Sequence, residues 1–75
     1  MNFIYVLVLQ ACIVVGGAQH CKAPIKIQIF ETHNECAIAG HQRASEMYTR
    51  EYPLIPKDSR LSVRFWCDPI KKQSI

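Results

Sequence analysis

Charge is confined to one part of this chain. Met1 to Ala18 contains no Asp, Glu, Lys or Arg, whereas all nine Lys and Arg and all six Asp and Glu lie from Lys22 onward. A 75-residue chain holds one small domain at most, and this partition divides it into an apolar leader and a polar remainder. Length and composition exclude a multidomain enzyme, a long coiled coil, a polytopic membrane protein and a collagen-like or low-complexity chain.

The apolar run is Phe3 to Val15, FIYVLVLQACIVV, broken only by Gln10 and followed by Gly16, Gly17 and Ala18. As a helix of ~1.5 Å per residue it would reach about 20 Å, short of the roughly 30 Å hydrocarbon layer. Small residues at Gly16 and Ala18 suit a signal peptidase, so residues 1–18 read as a signal peptide cut after Ala18, with a mature domain at 19–75. The flanks point the other way, because no Lys or Arg precedes the run and Lys22 and Lys26 follow it. An uncleaved anchor therefore remains open, and Leu9-Gln10-Ala11-Cys12 faintly resembles a bacterial lipoprotein box.

The remainder reads as strand, helix, strand. Ile25-Lys26-Ile27-Gln28-Ile29-Phe30 alternates with period two, which predicts a half-buried strand with its three Ile on the core face. Thr32 and Glu35 form T-x-x-E, a capping box that opens a helix from about His33 to about Arg50, ended by Pro53. Its apolar stripe is Cys36, Ala37, Gly40, Ala44, Met47 and Tyr48, and Gly40 in mid-helix implies close approach to a strand. Leu61 to Cys67 alternates again, with Leu61, Val63, Phe65 and Cys67 on one face and Ser62, Arg64 and Trp66 on the other. Asp68-Pro69 is expected to stop it.

The expected fold is α+β, a βαβ-like unit with one helix on a two-stranded sheet, the strands parallel because a helix connects them. Two strands leave both edges open, so a third strand from the N-terminal segment or a second copy is the alternative. A 57-residue mature chain (75 less 18) buries only about 60% of its unfolded surface and needs a staple. The crossover brings Cys67 beside the first helical turn, where Cys36 sits, and the two should form a disulfide. Cys21 lies before the start of the first strand, and six or seven residues at ~3.3 Å each put it roughly 20 Å from Cys67, beyond bridging distance. It is expected to be a free or intermolecular thiol.

Other chemistry is sparse. A metal site from Cys21, Cys36, His41 and Cys67, with His20 or His33, matches no ligand spacing, and Cys36 and His41 lie about 140° apart on a helix. Cys36 as a nucleophile with a His base competes with its disulfide. No phosphate loop, Ser nucleophile motif or carboxylate pair occurs. The net charge of +3 comes from Lys and Arg interspersed with acids, a solvated surface rather than a nucleic-acid site. Phe30, Arg64 and Trp66 are the candidate contact patch, set at the strand ends and pointing away from the helix.

The layout of a strand, then Glu31-Thr32-x-x-Glu35-Cys36-x-x-Ala39-Gly40 opening a helix, then a strand ending in Phe65-Trp66-Cys67, resembles small exported proteins of unknown function from bacteriophages and marine bacteria. That resemblance implies the two-Cys staple and no activity. The expectation is an exported, secreted or periplasmic, non-enzymatic module without cofactor or metal, acting on an unknown protein partner or by self-association. The alternative is a membrane-anchored phage or bacterial accessory protein that keeps the apolar segment.

Overall fold

The computed structural model describes residues 3–71. The chain is α+β, with one helix packed on a four-stranded antiparallel sheet. Strand β1 is Phe3–Val15, β2 Ala18–Cys21, β3 Ile25–Phe30 and β4 Arg60–Lys71, with helix α1 at His33–Glu51. β1 is central: β4 runs antiparallel along one side from Phe3↔Lys71 to Val14↔Arg60. On the other side β3 pairs with its first half and β2 with its second.

The apolar run is therefore the middle of the sheet, not a helical segment. Its continuous hydrophobicity is what a strand needs when it is flanked on both sides and shared between two faces. Val6, Leu7, Val8, Leu9 and Cys12 are all buried, so consecutive residues on opposite faces are covered. The expected division at Ala18 would remove this strand and leave β3 and β4 without their common partner. Among the described residues no helix is long and apolar enough to cross a membrane.

Gly16 and Gly17 take positive φ values of 56° and 84° between the register pair Val15↔Ala18. Positive φ at both central residues is the two-residue hairpin turn whose twist matches the flanking strands, and glycine adopts it without a Cβ penalty. The same small residues that match a cleavage pattern form the hairpin turn, and the hairpin supplies the partner of Cys21. Cys12 lies directly across from Cys21 and the two form a disulfide with Cα atoms 4.0 Å apart. The expected free thiol at Cys21 is corrected accordingly: none of the cysteines is free.

The expected relative direction of the two later strands survives, although they do not touch. Both β3 and β4 run antiparallel to β1, hence parallel to each other, and α1 crosses over the strand between them. That geometry carries Cys67 to the first turn of α1, where it is bonded to Cys36. The sheet has four strands rather than two, the third-strand alternative with a short fourth.

Local signals for α1 are accurate. Thr32 is the N-cap, its hydroxyl accepting from the Glu35 N–H at 3.1 Å and donating to the Glu35 carboxylate at 2.9 Å. The box closes through the hydroxyl itself rather than through the Thr32 amide. The helix ends at Glu51 and tightens into a 3-10 turn at Tyr52–Leu54 that contains Pro53. Cys36 and Gly40 are its buried residues, and Gly40 sits on the Phe65 ring. Leu54 is 76% exposed, so it does not plug the core as its hydrophobicity suggests.

Pro69 does not stop β4. The Val63 N–H donates to the Tyr48 hydroxyl at 2.9 Å and so points away from β1. With a two-residue period the same is true at position 69, where a missing N–H costs no bond to β1.

Candidate functional site

α1 covers one face of the sheet, and alternation assigns the other. Cross-strand neighbours share a face, so the pairs Val8↔Trp66, Gln10↔Arg64, Val6↔Asp68 and Ile4↔Ile70 lie opposite the helix. The Leu7↔Cys67 and Leu9↔Phe65 pairs lie beneath it. Nothing among the described residues forms a second layer over Trp66 and Arg64.

The patch differs from expectation at one position. Phe30 pairs with Tyr5, whose ring meets His33 of α1 edge-on at 5.6 Å between centroids, and so lies on the helix side. The cause is a β-bulge: Leu7 and Val8 are adjacent in β1, but their partners are Gln28 and Lys26. Ile27 is the extra residue, and it inverts the facing of everything after it in β3. Without the bulge, strict alternation would put Phe30 beside Lys26. With it, Ile29 pairs with Val6, joins the open face and is 59% exposed.

Arg64 is held in place. Its Nε donates to Gln10 Oε1 at 2.7 Å, its terminal Nη2 reaches the same oxygen, and its guanidinium lies 5.7 Å from the Trp66 ring centroid. Gln10 also donates through Nε2 to the Lys22 carbonyl at 3.1 Å. The lone polar residue of the apolar run thus ties β4 to the segment between β2 and β3, and presents Arg64 over Trp66 as a preformed cation–π pair. Spacing offered no sign of this, because Gln10 and Arg64 are 54 residues apart.

Metal and nucleophile chemistry have no thiolate to draw on. Cys36 is bonded to Cys67 and Cys12 to Cys21, and among the described residues no three His, Cys, Asp or Glu converge on a point. His41 packs edge-on against Phe65 at 4.9 Å. Two disulfides in so short a chain place the fold in an oxidising environment, where such bonds form and persist. Comparison with protein-family models, curated proteins and solved structures finds no match.

Proposed function

We propose that this chain is a non-catalytic, disulfide-stapled association module of a secreted or periplasmic compartment, and that it self-associates through the open face of its sheet. This is a module that keeps its apolar N-terminal strand, since β1 and Cys12 belong to the fold. The observation that carries the reading is the one-sided sheet, with helix over one face and Trp66, Arg64, Ile29 and Ile70 on the other. Tryptophan and arginine in a single patch are what contact surfaces concentrate.

Charge selects a second copy as the occupant. On the open face of β4, Arg64 and Asp68 each lie two residues from Trp66, one on either side. A two-fold axis across the strand at Trp66 sets each Arg64 against the partner's Asp68 and stacks the two indoles between them, an isologous contact. The free edge of β4 is a poorer route, because its Val63 N–H is taken by Tyr48 and Pro69 has none to offer.

Sedimentation velocity over a concentration series tests this. Trp66→Ala should weaken association about 30-fold, the effect of losing a central anchor worth ~2 kcal/mol. Arg64→Asp and Asp68→Arg should each abolish it, and the double exchange should restore it. A wild-type chain that stays monomeric at every concentration, or a double exchange no better than either single one with the fold intact by circular dichroism, refutes the reading.

A further inference from the structure

α1 does not lie equally close to the sheet along its length. Near its start the Cys36–Cys67 bond and the bare Cα of Gly40 press it onto β4. Towards its last turn the helix, the hairpin stem and the start of β4 diverge around a cavity of about 380 Å³. Ala11, Ile13 and Leu61 line its sheet side, and Met47 and Ile55 its helix side. Ala11 is why the sheet side stays open: it occupies a central position on β1 with nothing beyond Cβ to fill the gap. The cavity is also far from the end of β4, since Lys71 lies opposite Phe3 at the other end of β1.

Its lining is apolar in depth and cationic at the border. Lys22 and Arg50 contribute two fixed positive charges, Glu51 one negative charge, and His20 the remaining titratable group. An apolar slot with a few exposed polar groups among its lining is the form of a small-molecule site, and 380 Å³ lies within the usual range of roughly 300–1,000 Å³. At about 30 Å³ per non-hydrogen atom, the liquid share of a water molecule, it holds roughly 12 such atoms.

We infer that this cavity binds a free straight-chain alkyl carboxylate of about the size of decanoate, with its chain between Ala11 and Met47 and its carboxylate at Lys22 and Arg50. The ligand's chain suits the apolar lining and its carboxylate suits the exposed Lys22 and Arg50. The chain replaces water on the surfaces of Ile13, Leu61 and Ile55, and the headgroup stays at the mouth, where the cations are exposed and pair without a large desolvation cost. The site is on the helix side of the sheet and is independent of the association face.

The full-length oxidised protein, titrated with sodium decanoate and followed by methyl NMR, tests this. The Met47 and Ile13 methyl resonances should shift and saturate, while Ile29, on the open face, should not. Decanol should bind about fivefold more weakly than decanoate, the effect of one exposed ion pair. Lys22→Gln with Arg50→Gln should remove that preference. Ala11→Leu should block binding of both, with the amide spectrum confirming an intact fold. Absence of saturable shifts at Met47 and Ile13, saturation centred on Ile29, or equal binding of decanol and decanoate would each overturn the inference.

Discussion

Replacing Gly40 by Ala sets two effects of opposite sign against each other, and the structure says which wins. In an exposed helix the change stabilises by about 1 kcal/mol, because alanine loses less conformational freedom. Here the new Cβ would meet Cδ1, Cε1 and Cγ of Phe65, the last at 2.8 Å. Cγ is fixed by the ring's attachment, so rotation about χ2 cannot clear it, and the His41 ring packs on the same phenyl group. The helix cannot retreat easily, since the Cys36–Cys67 bond holds it to β4 one turn earlier. Overpacking of this kind costs about 3 kcal/mol at the upper end of its range, leaving a net loss of about 2 kcal/mol. For a chain this small, with a urea m value of about 1 kcal/mol/M, the unfolding midpoint should fall by roughly 2 M. In a Phe65→Leu background the ring is gone and the Gly40→Ala penalty should shrink to near zero, a coupling that a double-mutant cycle reads directly. A Gly40→Ala protein as stable as wild type, or more stable, refutes the close approach of α1 to β4.

The two disulfides should differ in worth. In the chain-entropy model the Cys36–Cys67 bond, with a sequence separation of 31, contributes about 3.7 kcal/mol, and Cys12–Cys21, with a separation of 9, about 2.7 kcal/mol. Paired Cys→Ser variants in urea melts should therefore differ by about 1 kcal/mol, with loss of the longer link the more damaging. Thr32→Ala removes the N-cap acceptor of α1 and should cost about 1 kcal/mol in the same assay. Gln10→Ala should cost a similar amount through its bonds to Arg64 and the Lys22 carbonyl and should weaken association, because Arg64 loses its anchor.

Local periodicity made the helix and the later strand readable. Thr32, Glu35 and Pro53 mark the bounds of α1 in a few residues, and Leu61 to Cys67 alternates cleanly because β4 has one face under the helix. The parallel crossover was enough to pair Cys36 with Cys67 even though the intervening strand was missing. The apolar run is not legible as a strand, for a physical reason. Val6 and Val8 on the open face are nearly as buried as Leu7 and Leu9 beneath the helix, so the run has no period to show, and its thirteen residues, broken only by Gln10, are compositionally the same as a leader peptide. Once Phe3–Val15 is set aside, Gly16-Gly17 stops reading as a hairpin turn and Cys21 loses its partner. Phe30 failed differently, because one extra residue at Ile27 reverses side-chain facing and a bulge depends on the partner strand's register. Of the expected patch, Arg64 and Trp66 stand together, and the residue that orients Arg64 comes from the segment that composition alone would discard.

Phe3–Val15 is the central strand of an oxidised fold, and an intact mass of natively produced protein, alkylated before unfolding, tests that most directly. The predicted result is a chain that retains Cys12, takes up no alkyl group, is four hydrogens lighter than the reduced form (two per disulfide) and yields linked Cys12–Cys21 and Cys36–Cys67 peptides. A species beginning at Gln19, or one alkylated at Cys21 without prior reduction, would contradict it.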